Sequence, residues 1–167
     1  MVPDGGGMTC EPAKTPANLV TDGAFECGTQ GWSAQQGTLA VVEGGRSGKA
    51  LQLTATANGA GQAGIATPIV ASTSGKSYCV TAWVKGTVSD ARFEVLAPNA
   101  GTMETFSTPV MSGSWLKAPM STNLKVTVAA GGELYLRVRM VNGTASQTLL
   151  IDDVDFWEST SGSCTER

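Results

Sequence analysis

Fourteen acidic side chains, eleven basic ones and no histidine set the chemistry open to this chain of 167 residues. Without imidazole there is no Ser-His or Cys-His triad, no histidine general base and no imidazole-built zinc or copper site. Carboxylates remain, and they cluster in the run Leu149-Leu150-Ile151-Asp152-Asp153-Val154-Asp155-Phe156-Trp157. As a strand with Leu150, Val154 and Phe156 turned inward, this run turns Asp152 inward too, and Asp153 and Asp155 outward. A buried carboxylate needs a cation or a set of hydrogen-bond donors. Backbone amides at a strand end are one solution. A hard cation with oxygen ligands is the preferred one, and calcium takes many of its oxygens from backbone carbonyls that glycine-rich loops present. Glu26, directly after Phe25, supplies a second acid. Asp153 and Asp155 are only outward neighbours. A glycosidase pair would need a cleft and a raised pKa on one member, so the chain is not read as an enzyme.

The cysteines are Cys10, Cys27, Cys79 and Cys164, with no C-x-x-C spacing among them. That is neither a zinc ribbon nor a thioredoxin-like motif. An even count in a low-charge chain rich in Gly, Ser and Thr points to two disulfides and an oxidising, secreted or cell-surface setting. Three pairings are possible. The expected one joins Cys10 to Cys164, stapling the termini, and Cys27 to Cys79.

Around these residues the sequence alternates as strands do. Leu134, Leu136, Val138 and Met140 are apolar, while Tyr135, Arg137 and Arg139 occupy the positions between them. Leu124, Val126 and Val128 alternate with Lys125 and Thr127, and Leu51 and Leu53 with Gln52 and Thr54. Strands are expected at Thr38–Val42, Ala50–Thr56, Ala66–Val70, Ser77–Lys85, Arg92–Ala97, Met103–Val110, Leu116–Met120, Leu124–Ala129, Leu134–Val141 and Leu149–Trp157. Gly-, Asn- and Pro-rich breakers separate them. Gln30–Gly37 and Asn58–Gly64 read as long loops. No stretch holds a helical period for three turns. One face of each strand is apolar and the other polar, which gives an all-β fold: a two-sheet antiparallel β-sandwich.

Residues 1–16 and 159–167 read as an N-terminal arm or linker and a C-terminal tail around a domain at 17–158. They suggest tethering to other domains or a surface. The first residues show no basic and apolar segments of a signal peptide. No apolar run reaches the length of a membrane span. A net charge of −3 offers no footprint for nucleic acid or anionic lipid.

Several of these pieces resemble a known family. Asn18-Leu19-Val20, Asp22, Phe25-Glu26, Gly28 and Gly31-Trp32 look like the opening of the jelly-roll carbohydrate-binding modules of types four, nine and twenty-two. That group has a galactose-binding-like β-sandwich. Ser47-Gly48-Lys49-Ala50-Leu51, Tyr78 to Gly86, Trp115 and Ile151-Asp152-Asp153-Val154 follow in the family's order. The resemblance implies a jelly roll, a polysaccharide or glycan partner and a structural calcium. Carried over by position, the calcium ligands are Glu26 and Asp152 by side chain and Ala24 and Lys49 by backbone. It also makes Phe25, Trp32, Tyr78 and Trp115 framework. Trp83, Phe93, Phe106, Tyr135 and Trp157 are then left as aromatics on which a sugar could stack. Trp83 and Tyr135, the latter with Arg137 and Arg139, are the candidate ligand-binding residues, and two guanidiniums suit an acidic sugar. The alternative use of the same fold is an adhesion or filament module that binds no sugar.

Overall fold

The computed structural model describes residues 10, 13–58, 61–65, 69–72, 75–97, 102–119, 124–127 and 132–165. Residues 1–9 of the arm, 66–68 of the expected Ala66–Val70 strand, Met120, and 128–129 at the end of the expected Leu124–Ala129 strand lie outside them. Among the described residues twelve strands run in order: β1 (Trp32–Gln35), β2 (Gly37–Glu43), β3 (Lys49–Ala55), β4 (Gln62–Ile65), β5 (Val70–Ser72), β6 (Ser77–Gly86), β7 (Asp90–Ala97), β8 (Thr102–Pro109), β9 (Leu116–Ala118), β10 (Leu124–Thr127), β11 (Gly132–Val141) and β12 (Thr148–Ser159). No helix occurs among the described residues, so none is long and apolar enough to cross a membrane.

The strands form two antiparallel sheets. The first has the order β1-β4-β11-β7-β8, with β5 on one end of β11. The second has the order β10-β6-β12-β3-β2, with β9 on β6. The inner positions of β11 (Leu134, Leu136, Val138, Met140) and β7 (Ala91, Phe93, Val95) pack against those of β6 (Tyr78, Val80, Ala82, Val84) and β3 (Leu51, Leu53, Ala55). This is the β-sandwich the alternation implies, with the jelly-roll architecture. Its core excludes water as such packing requires: most of these side chains are 0–2% exposed. Burying one of the larger of them contributes roughly 1.5–3 kcal/mol.

Three expectations are corrected. The stretches read as loops at Gln30–Gly37 and Asn58–Gly64 hold β1 and most of β4, which pair with each other, β4 pairing also with β11. Both are four-residue strands held through their backbones, and Gln35, Gln62 and Gly64 lack the branched side chains that mark a strand in sequence. In β12 it is Leu149 and Ile151, not Leu150, that face the core with Val154 and Phe156. A bulge between Asp152 and Asp155 shifts the register against β6, and Asp153 sits there at φ 45°. The extra residue resets the alternation.

The disulfides, lastly, are Cys10–Cys27 and Cys79–Cys164, with Cα–Cα distances of 5.5 and 5.7 Å, rather than Cys10–Cys164 and Cys27–Cys79. Asn18 and Leu19 bond to Val154 and Phe156 of β12 beyond the last β3 pair, which brings the arm to the turn that carries Cys27. The C-terminal tail folds back over the outer side of β6, where Cys79 lies fully buried.

Candidate functional site

The outer face of the first sheet carries two polar rows that cross five strands in register. One is Gln35–Gln62–Arg139–Arg92–Ser107 and the other Ser33–Gly64–Arg137–Glu94–Thr105. Period two places these residues outward because their neighbours Ala63, Val138, Phe93 and Leu136 fill the core. Glu94 is 1% exposed although it points away from the core. It is covered by two guanidiniums: Arg137 Nε donates to its Oε2, and Arg139 Nη1 lies 3.4 Å from its Oε1. Farther along β11, Tyr135 is half-buried and donates its hydroxyl to Glu133 at 2.7 Å. That bond to a carboxylate holds the phenol pKa above its ordinary value.

Trp83 lies elsewhere, on the outer face of β6 in the second sheet. The Arg46 guanidinium stands 4.0 Å from its ring centroid, a cation–π contact that occupies the ring face. A hollow of about 320 Å³ opens beside it, lined by Lys14, Arg46, Thr81, Trp83, Lys117, Asp153 and Asp155. Two of its cations have partners: Arg46 pairs with Asp153 at 2.6 Å and Lys14 with Asp155 at 2.7 Å.

Asp152 shares the outward register of Trp83 rather than the core, yet it is 0% exposed. The loop between β2 and β3, Gly44–Gly48, closes over it. The Arg46 and Ser47 amides donate to its Oδ2 at 2.6 and 3.5 Å, and its own neighbour Asp153 donates to Oδ1 at 2.7 Å. Backbone amides thus hold this carboxylate. Burial nevertheless pushes its pKa up to about 6, against those amide bonds.

Glu26 meets the other end of the same loop, accepting the Lys49 amide at 2.9 Å. Two glycines make this convergence possible. A Cβ at Gly45 would overlap the Lys49 carbonyl oxygen and stand 2.8 Å from Asp152 Oδ2, and one at Gly48 (φ 100°) would overlap Glu26 Oε1. The Asp152 carboxylate and the Lys49 carbonyl thus flank Gly45 and the Glu26 carboxylate flanks Gly48, hard oxygens of the kind calcium takes, at positions kept free of side chains. Among the described residues no group of three or more acidic, Cys or His side chains gathers, so any ion there would lean on backbone oxygens. Ala24 lies in the adjoining turn, between Gly23, whose carbonyl accepts the Val154 amide, and Phe25.

The four expected ligand-binding residues are therefore split between opposite faces: Tyr135, Arg137 and Arg139 on one sheet, Trp83 on the other. Of the five aromatics left for stacking, Phe93 and Trp157 are fully buried and Phe106 packs on the core against Phe93. Glu94 and Arg92 escaped notice in the sequence. Their signal was the alternation Asp90-Ala91-Arg92-Phe93-Glu94-Val95, which has the same form as that of β11.

A model of the family described as a carbohydrate binding domain matches residues 17–147. No curated protein matches the chain. Solved structures share its fold. TmCBM61, determined in complex with β-1,4-galactotriose, has a TM-score of 0.61 at 16% identity, covering 85% of this chain and 99% of that one. The CBM22-1 xylan-binding domain of Xyn10C from Paenibacillus barcinonensis has a TM-score of 0.60 at 19% identity, covering 78% and 86%. The enzymatically active domain of tailspike protein 4 from bacteriophage CBA120 reaches 0.67 at 14% identity, with 85% of this chain covering 21% of that one.

Proposed function

The chain belongs to the carbohydrate-binding domain family, and we propose that it is a non-catalytic module holding a polysaccharide across the outer face of its first sheet. The observation that carries this reading is the pair of polar rows across five strands, exposed at Ser33, Gln35, Thr105 and Ser107 and half-buried at Arg92, Arg137 and Arg139. Glutamine, serine, threonine and arginine there can bond to sugar hydroxyls, and Tyr135 adds a flat surface for a pyranose C–H face.

A calcium ion held by Glu26, Asp152 and the Lys49 and Ala24 carbonyls belongs to the same reading. It would supply no chemistry, only a tie between the Cys27 turn, the Gly44–Gly48 loop and the last strand. The two disulfides support a secreted or cell-surface setting, and the arm and tail a tether to further domains. A second reading, an adhesion or interaction module without sugar binding, is favoured by the covered face of Trp83.

Affinity electrophoresis of the protein against a panel of soluble polysaccharides separates the two. Retardation by at least one glycan, lost in Arg137→Ala, is the expected result. Retardation by none, with the protein folded, overturns the binding reading in favour of the second.

A further inference from the structure

We infer that this face reads an acidic polysaccharide, with a uronate carboxylate seated between Arg92 and Arg139. The inference rests on the reading of the face as the glycan surface and adds the class of glycan. Arg92 and Arg139 are direct partners in the β7–β11 ladder, so their side chains leave the sheet side by side. Like charges placed directly opposite oppose strand pairing. The carboxylate beside them does not cancel both. Glu94 already takes the Arg137 Nε on one oxygen and leaves Arg139 only a long contact on the other.

The Arg139 Nε is buried with no hydrogen-bond acceptor, and Arg92 has no ion pair among the described residues. Asp90 stands on the same face across from Val141 and pairs with neither arginine, and Glu133 is engaged by Tyr135 at the other end of β11. A cavity of about 140 Å³ is lined by both arginines and by the chain from Met140 to Asn142.

Two guanidiniums that share so little acid, opening on one cavity, suit a planar anion whose oxygens each accept a charge-assisted bond. Along the same row Gln62, whose buried Oε1 has no donor, and Gln35 offer amide groups to hydroxyls. The row thus presents hydroxyl recognition at its β1 end and anion recognition on β11 and β7, with roughly 14 Å from Gln35 to Arg92 at the usual strand spacing. A sulfate ester carries the same charge without the planar shape, so it is tested separately.

The experiment is calorimetric titration of the whole chain at constant ionic strength with polygalacturonate, its methyl ester, dextran sulfate and neutral β-1,4-galactan. Arg92→Gln should weaken polygalacturonate about tenfold, the scale of one charge-assisted hydrogen bond. Lys85→Gln, on the outer side of the second sheet, should change it less than about twofold, as expected for a charge that meets no ligand. The methyl ester should bind no better than galactan. Arg92→Gln should melt no lower than the parent, since it removes a like-charged neighbour.

Equal weakening by both variants means diffuse charge attraction and overturns the site. Equal affinity for ester and acid overturns recognition of the carboxylate, and tighter binding of dextran sulfate replaces it with a sulfate ester. Galactan binding without polygalacturonate binding sinks this inference and leaves the module reading standing. Binding of no glycan sinks both.

Discussion

On the second sheet the outward residues of β6 and β12 are covered. The C-terminal tail lies over Cys79, Lys14 reaches Asp155, and the Gly44–Gly48 loop closes on Asp152 and lays Arg46 across Trp83. On the first sheet the outward residues of β11 and β7 keep their polar rows open, and only Glu94 is hidden, by its own neighbours. Both faces come from strands of the same alternating kind. What differs is where the arm, tail and loop lie, and those segments assign one face to holding the fold together and leave the other to a ligand. The comparison can be broken by making the covered face matter for binding, or the open face matter for stability.

The largest effect should come from the Cys79–Cys164 disulfide. It closes a separation of 85 residues, against 17 for Cys10–Cys27. Loop-closure entropy then gives about 4.6 kcal/mol for the first and about 3.1 for the second. The double variant Cys79→Ser/Cys164→Ser should melt well below Cys10→Ser/Cys27→Ser, with glycan retardation at low temperature unchanged in both. A loss of retardation in the folded double variant would show that the covered face contributes to binding.

Removing calcium should come next, and its size should depend on pH. In chelator the Asp152 pKa stands near 6, raised by burial above its ordinary 3.8. A carboxylate so shifted holds its proton more tightly in the folded state. The metal-free fold is therefore best served below about pH 4 and loses stability as the pH climbs to about 6, by up to about 3 kcal/mol. A bound cation favours the ionised form and removes that loss. The difference in melting temperature between calcium and chelator should accordingly widen from pH 4 to 6 and then level off. A melting curve indifferent to chelator at pH 7 would leave the backbone amides of Arg46, Ser47 and Asp153 as the whole answer to the buried charge.

Most of this fold was legible because two-sheet packing writes itself into alternation. Leu134 to Met140 and Leu51 to Leu53 announced their faces, and Asp152 announced a buried acid. The reason given for that burial was only half right. The register that put Leu150 inward was reset by a bulge, and a bulge has no signature in the side chains alone. The same limit hid β1 and β4, which are held by backbone bonds and carry glutamine, glycine and alanine. Cysteine pairing depended on where arm and tail run, and that path is set by contacts such as Asn18 with Val154 and Phe156, far apart in sequence. At the site, Arg137 and Arg139 were visible and their partner Glu94 was not. A charge pointing away from a core reads as solvated unless the facing strand is known.

The smallest effect bears on Trp83, the tryptophan that sequence alone offers as a sugar platform. Arg46 holds its ring face and pairs with Asp153, both at the surface, so Arg46→Ala should cost about 1 kcal/mol. Because Trp83 lies on the sheet opposite the polar rows, uncovering it should leave glycan retardation where it was. Were Trp83 a stacking surface held shut by Arg46, the same substitution would free an indole face beside a hollow of about 320 Å³. Retardation would then increase, and Trp83→Ala would abolish the gain. That result would give the covered face a ligand of its own, with Arg46 as its lid. An unchanged retardation, with a slightly lower melting temperature, would leave the division of labour between the two faces as their coverings dictate.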